Sequence, residues 1–123
     1  MKLRIKGNTL RLRLTRSEVA EFSETGRFSE QVSLTPAMLV YSIQKTDQNK
    51  AGARFSAGEL TIFMPATDAD EWAIGDEIGF EAKEPIDAEN ELHIIIEKDF
   101  ACRALRDGED ISDHYPNPET TPC

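Results

Sequence analysis

Two consecutive stretches of about 45 residues repeat the same order of hydrophobic patterns. In each stretch, segments that alternate apolar and polar residues lie on both sides of a short helix-type segment. With an offset of 50, Ile5, Leu10, Leu12, Leu14 and Phe22 align with Phe55, Leu60, Ile62, Met64 and Trp72. With an offset of 53, Leu39, Tyr41, Ile43 and Lys45 align with Leu92, Ile94, Ile96 and Lys98. A unit of this size buries too little surface to fold alone. We therefore predict an α+β, mostly antiparallel domain in which two ββαββ halves, 1–46 and 52–98, share one small barrel.

Local signals set the expected element boundaries. Gly7-Asn8 between two alternating segments predicts a two-residue hairpin turn. Thr15 and Glu18 match a capping box, which predicts a helix over roughly 16–24 that ends at Gly26. Pro65 is expected at the first position of a second helix, and Gly75 at its end. The apolar periodicity places four aromatic side chains in the core: Phe22, Phe55, Trp72 and Phe80.

The chain length of 123 residues fits one domain, which we expect over residues 1–106. Residues 107–123 contain five acids, three prolines and no Lys or Arg, and this composition is typical of an extended, solvated tail. The longest aliphatic run is Ile94-Ile95-Ile96, far short of a membrane span. The opening residues lack the apolar core of a signal peptide. With only two cysteines, a cytoplasmic protein without membrane contact is expected.

The charges are distributed very unevenly. Residues 1–16 contain six cations and no acid, whereas the other 107 residues contain 8 cations and 23 acids. The six cations are Lys2, Arg4, Lys6, Arg11, Arg13 and Arg16. Such an asymmetry is typical of contact with a polyanion or of neutralisation within the fold.

The predicted hairpin would place like charges opposite each other, Arg4 facing Arg11 and Lys2 facing Arg13, which destabilises a strand pair. The second half has Arg54, Ser56, Thr61 and Phe63 at the corresponding positions, so the architecture does not require these cations. We predict that the six cations contact nucleic-acid phosphates, with DNA in a regulatory role as the first candidate. The alternative is that the chain's own acids neutralise them. The candidate acids are Glu77, Glu81, Glu91, Glu97 and those of the tail.

Metal binding has weak support in the sequence. Cys102, His114 and Cys123 could supply three zinc ligands, with Asp99 or Asp113 as a fourth. Their spacings match no common zinc pattern, in which paired ligands lie two to four residues apart. A Cys102–Cys123 disulfide in an oxidising setting and two free thiols in a cytoplasm are the alternatives. No cofactor is therefore expected, with zinc left open.

Catalysis has little support as well. His93 lies between Leu92 and Ile94 in a predicted strand, which is typical of a partly exposed sheet residue. Ser112, Asp113 and His114 are adjacent in sequence, which is not how a catalytic triad assembles. The chain contains no phosphate-binding loop, dinucleotide fingerprint or nucleophile elbow. A non-catalytic binding protein is predicted.

Residues 60–65 and 72–80 resemble the AbrB/MazE/SpoVT swapped-hairpin family. Leu60-Thr61-Ile62-Phe63-Met64-Pro65 is followed by a short helical segment and by Trp72-Ala73-Ile74-Gly75-Asp76-Glu77-Ile78. The segment from Pro65 to Gly75-Asp76 is two residues shorter than in the family pattern, and the first half has Thr15 in place of the proline. The resemblance implies two interlocked hairpin units and arginines that contact DNA near the first hairpin. It also implies an alternative function, an antitoxin-like protein-interaction module in which the acidic tail wraps a partner.

The whole chain also resembles a set of short bacterial proteins of unknown function. The similarity is carried by an opening like Lys2-Leu3-Arg4-Ile5-Lys6-Gly7-Asn8 and an ending like Tyr115-Pro116-Asn117-Pro118. This resemblance implies no activity.

Overall fold

A computed structural model describes residues 1–99 and residue 115. These residues form eight strands and two helices in the predicted order. The strands are β1 (Lys2–Lys6), β2 (Thr9–Leu14), β3 (Arg27–Ser33), β4 (Met38–Thr46), β5 (Gly52–Ser56), β6 (Glu59–Pro65), β7 (Gly79–Pro85) and β8 (Glu91–Lys98). The helices are α1 (Arg16–Thr25) and α2 (Ala66–Ile74).

The strands form two four-stranded sheets, ordered β1-β2-β8-β7 and β3-β4-β6-β5. Neighbours within each hairpin are antiparallel, whereas the central pairs β2–β8 and β4–β6 are parallel. Each sheet therefore joins a hairpin from the first part of the chain to one from the second. Among the described residues this is a mostly β arrangement of α+β character, and the predicted closed barrel is not formed. The reason is that the outer strands of each sheet pair on one side only.

The first hairpin confirms the sequence-based register. Arg4 pairs with Arg11 and Lys2 with Arg13 across β1 and β2. The leucines of β2 are buried, whereas the threonine and arginines that alternate with them are partly exposed. This alternation is expected of a sheet with one face on the core.

Helix boundaries also follow the local signals closely. The Thr15 N–H donates to the Glu18 carboxylate at 2.8 Å, as in a capping box. Gly26 ends α1 with φ 81°, a left-handed conformation that glycine adopts without a Cβ penalty. Pro65 is the N-cap of α2 and the last residue of β6, one position earlier than predicted. The α2 C-cap is Gly75, as expected.

One buried cluster takes side chains from both sheets and both helices. Its largest fully buried side chains are Trp72 and Phe22, whose ring centroids lie 6.5 Å apart at an interplanar angle of 65°. Phe80 packs against this core as predicted, but the prediction for Phe55 is wrong because its exposure is 69%. Phe55 lies on the outer strand β5, and Ile5 on the outer strand β1 is similarly exposed at 63%. Alternation alone cannot distinguish an outer strand from a central one.

Neither helix in the described part of the chain has the length and apolar composition needed to cross a bilayer. The proposed boundary near residue 106 and the tail 107–123 fall outside the described residues, apart from Tyr115, so both stay predictions. The Tyr115 side chain packs against the core, and its N–H donates to the Asp99 carbonyl at 3.0 Å.

Candidate functional site

Five of the six predicted cations lie on one surface of the first sheet. The alternation of β1 and β2 places them on the side that faces away from the core. We call this surface the basic face; it comprises Lys2, Arg4, Lys6, Arg11 and Arg13. The sixth cation, Arg16, is the first residue of α1 and lies beside the second helix, where it lines a cavity with Val19 and Ala73.

Acids from the end of β8 partly neutralise the basic face. The Glu97 Oε1 atom lies 3.4 Å from Nε of Arg11 and also 3.4 Å from Nε of Arg13. Lys2 Nζ lies 3.3 Å from Oδ2 of Asp99. One carboxylate therefore serves two guanidinium groups.

The described acids do not neutralise two of the cations near the tip of the hairpin. Arg4 and Lys6 are exposed and form no ion pair with any described residue. Together with Arg11 they surround an open pocket of ≈ 590 Å³. Its described lining is Arg4, Lys6, Gly7, Asn8, Thr9 and Arg11, which includes three cations and no carboxylate.

The turn that carries this pocket is fixed to the neighbouring strand. The Asn8 side-chain amide donates to the Glu91 carbonyl at 2.8 Å, and the His93 N–H donates to the Asn8 carbonyl at 3.0 Å. Gly7 has φ 55°, and a Cβ there would meet no atom within 4 Å, so the turn faces open space. The backbone of the turn is therefore held against β8.

His93 lies near the tip but is paired with an acid. It is opposite Lys83 in the sheet, and its Nε2 contacts the Glu81 carboxylate. The side chain is 29% exposed, which agrees with the prediction of a partly exposed sheet residue. Of the acids proposed as neutralisers, Glu97 contacts the basic face, whereas the contact formed by Glu81 is to His93.

Sequence reasoning missed a second group of charges, at the amino group of Met1. This group forms ion pairs with Glu18 and Glu30, the latter at 2.9 Å. The Tyr41 hydroxyl lies 2.8 Å from Glu30 and 3.0 Å from the Met1 carbonyl. These partners come from β3, β4 and α1, so no local pattern could indicate the cluster.

This cluster predicts a loss of stability in acid. Burial raises the pKa of Glu30, but hydrogen bonds from the Met1 ammonium and the Tyr41 hydroxyl outweigh it, and the pKa is lowered overall. A depressed folded-state pKa stabilises the fold above the unfolded-state value of about 4.3, and this stabilisation is lost as the pH falls through the folded-state pKa. We expect Glu30→Gln to reduce the difference in urea midpoint between pH 7 and pH 3.5.

Glu21→Gln is the matched control for this prediction, because it removes one exposed carboxylate from α1. An identical pH dependence in both variants would contradict the prediction.

At the alkaline end, burial and then the neighbouring Glu30 raise the pKa of Tyr41 to about 12. The contribution of Tyr41 is therefore complete below about pH 10 and is lost as the pH rises towards 12.

The candidate zinc ligands Cys102, His114 and Cys123 lie outside the described residues. Within residues 1–99 and 115, no group of three or more His, Cys, Asp or Glu side chains is arranged to hold a metal ion. The metal prediction therefore stays a prediction.

The fold and the site define a small, mostly β protein whose candidate site is a charged sheet face with a pocket at its tip. The chain belongs to a family of unknown function, DUF7009, whose family model matches residues 1–119. This match confirms the full-length resemblance to proteins of unknown function. It shows no relationship to the swapped-hairpin family. Neither the curated proteins nor the solved structures include a match to the chain.

Proposed function

We propose that this protein is a non-catalytic binding protein that contacts the phosphates of a nucleic acid, with DNA as the first candidate, through its basic face. The observation that carries the proposal is the hairpin tip, where Arg4, Lys6 and Arg11 surround a pocket without a carboxylate in its described lining. Like charges on opposite strands weaken a hairpin. An anionic ligand would offset that repulsion, which gives the cations a function.

The partial neutralisation of the face is compatible with this proposal. Asp99 lies beside Lys2 at the opposite end of the hairpin from the pocket, and Glu97 lies between Arg13 and Arg11, the one lining residue of the pocket that it contacts. Beyond a Debye length of about 8 Å at physiological salt, charges at the surface are largely screened. The net negative charge of the chain therefore weakens the attraction of a polyanion to the basic face, but it does not abolish the attraction at short range.

We also propose that the fold arose by duplication of a ββαββ unit related to swapped-hairpin proteins. In support, Leu14 pairs with Lys98 in one sheet, and Met64 pairs with Lys45 at the corresponding place in the other. The two lysines have corresponding contacts. Lys45 Nζ donates to the Ser23 carbonyl at 2.9 Å and lies 5.9 Å from the Phe22 ring centroid. Lys98 Nζ donates to the Gly75 carbonyl at 2.8 Å and lies 5.9 Å from the Trp72 ring centroid.

The proposed function predicts salt-sensitive binding of DNA by the full chain. Each phosphate that a cation neutralises contributes about −0.9 to the slope of log K against log salt. With three to five contacts, we expect the affinity for a duplex oligonucleotide to fall by roughly 40- to 500-fold between 50 and 200 mM NaCl. Fluorescence anisotropy with a labelled duplex measures this fall.

Arg11→Ala/Arg13→Ala is the companion variant, because both side chains belong to the basic face. Its affinity should fall and its salt slope should decrease by about 2, one unit per lost phosphate contact. Binding that does not respond to salt, or that survives this double substitution unchanged, would refute the proposal. Truncation after Leu105 tests the antitoxin-like alternative, which requires that partner capture be lost while the fold and DNA binding are retained.

A further inference from the structure

We propose that the pocket at the hairpin tip is a discrete site for one phosphate monoester, presented by a ligand of nucleotide size. The inference rests on the proposed function and names the part of the ligand that the site recognises. The phosphate could belong to a free nucleotide or to the end of a nucleic-acid strand, because both present the same dianionic group. Its evidence is the position of the neutralising acids, the anchoring of the turn and the size of the pocket.

Positive charge without an acidic partner among the described residues increases towards the tip of the hairpin. Along the hairpin, the pair formed by Lys2 and Arg13 is met by Asp99 and Glu97. The next pair, Arg4 and Arg11, has one ion pair, and Arg11 forms it through Nε. Lys6 at the tip has none with a described residue. Among the described residues, the cations without an acidic partner are therefore concentrated at the tip, which favours one localised anionic group there.

The side chains around the pocket also fit a phosphate monoester chemically. Arginine forks bind two oxygens of one phosphate, and lysine adds a point charge. The Arg4 guanidinium is exposed and forms no ion pair with a described residue, so both of its terminal nitrogens can face a phosphate. A phosphate monoester carries more charge than a diester within the strand, since its second pKa is near 6. Three cations around one pocket match a dianion better than they match a single diester charge.

The volume of the pocket also fits a ligand of nucleotide size. The pocket of ≈ 590 Å³ lies within the range of about 300–1,000 Å³ that is ordinary for small-molecule sites. Its described lining contains no apolar or aromatic side chain, so the group attached to the phosphate would be held without base stacking. We therefore expect little discrimination between bases.

The second sheet supplies the matched substitutions. Ser56 and Thr61 occupy the positions of β5 and β6 that correspond to Lys6 and Arg11. The variant Lys6→Ser/Arg11→Thr therefore places in the first hairpin residues that the chain already tolerates in a second one. The control is Lys50→Ser/Arg54→Ser, which removes the same charge at two exposed positions outside the basic face.

The first measurement is the thermal unfolding of the full chain in inorganic phosphate against sodium chloride of equal ionic strength. A ligand that binds only the folded state stabilises it in proportion to its saturation. We expect a saturable rise in Tm of about 2 to 6 °C for the wild type and the control, and no phosphate-specific rise for Lys6→Ser/Arg11→Thr. The backbone amide NMR signals of residues 7–9 should shift in the same titration. An equal rise in all three proteins would overturn the inference.

The second measurement identifies the source of the phosphate. A 5′-phosphorylated oligonucleotide is compared with a 5′-hydroxyl oligonucleotide that is extended until its total charge is equal, and with a free mononucleotide. We expect the 5′-phosphorylated strand to bind at least tenfold more tightly than the 5′-hydroxyl strand. Equal affinities would overturn the inference and leave the proposed function standing. Binding of phosphate and mononucleotide without binding of either strand would support the inference and refute the proposed function.

Discussion

Replacing Trp72 by alanine is expected to destabilise the protein by about 3 to 5 kcal/mol, a large share of the 5–15 kcal/mol that stabilises an ordinary domain. Trp72 is 1% exposed and is the largest buried side chain. Its ring meets Phe22 edge to face, its Nε1–H donates to the Ile78 carbonyl at 3.3 Å, and the Lys98 ammonium lies 5.9 Å from the ring centroid. Truncation would open a cavity between the helices and remove the indole donor to Ile78, whose carbonyl would keep only the Lys98 backbone N–H at 2.9 Å.

The measurement is urea unfolding with an unchanged m-value, so that the midpoint reports stability alone. Ile74→Ala is the control, because Ile74 lies two residues along the same helix and is 87% exposed. Its effect should stay within about 0.5 kcal/mol. Trp72→Phe should fall between the two, since it keeps a ring and loses the Nε1–H. If the truncations of Trp72 and Ile74 cost the same, the core described above is wrong.

The second large effect is expected on DNA binding, from two double variants with the same change in net charge. Arg4→Ala/Lys6→Ala removes the two tip cations that have no acidic partner among the described residues. Lys2→Ala/Arg13→Ala removes the two that contact Asp99 and Glu97. A hydrogen bond to a charged group contributes about 1.5–3 kcal/mol. The tip variant should therefore bind at least tenfold more weakly than the control variant at low salt.

Both variants lose the same net charge and therefore the same long-range attraction to DNA. The difference between their affinities then reports the local contacts of the removed side chains. Fluorescence anisotropy at 50 mM salt measures it, and circular dichroism verifies that each variant folds. The tip variant should be at least as stable as the wild type, since Arg4 and Arg11 face each other directly. Equal losses of affinity in the two variants would show that the face acts only through its net charge.

The sequence predicted much of the fold, because local patterns determine local structure. Alternation predicted the order of the elements, and Gly7-Asn8 predicted the register of the first hairpin. The capping residues predicted the helix boundaries to within one position. Which strands lie side by side could not be predicted in this way. The parallel contact of β2 with β8 joins residues more than 80 positions apart, and the closed barrel expected in its place does not form among the described strands.

The candidate site was predictable as a set of cations but not as a geometry. Alternation placed Arg4, Arg11 and Arg13 on one face, whereas the contacts of Glu97 and Asp99 depend on where the last strand lies. Arg16 was grouped with the hairpin because it is close in sequence. It is the first residue of α1, however, and lies beside α2 instead of on the basic face. Phe55 was assigned to the core because its pattern matches that of a buried strand, and the exposure of an outer strand is a tertiary property.

Each helix connects a strand of one sheet to a strand of the other. Helix α1 connects β2 of the first sheet to β3 of the second, and α2 connects β6 of the second sheet to β7 of the first. Neither half of the polypeptide can detach without breaking the parallel pairings at the centre of both sheets. Partial opening therefore carries almost the whole cost of global unfolding, and native and denatured molecules should interconvert as one cooperative unit. The same long-range pairings slow folding, because distant segments must meet before they can pair. We therefore expect slow folding together with similar hydrogen-exchange protection throughout the core.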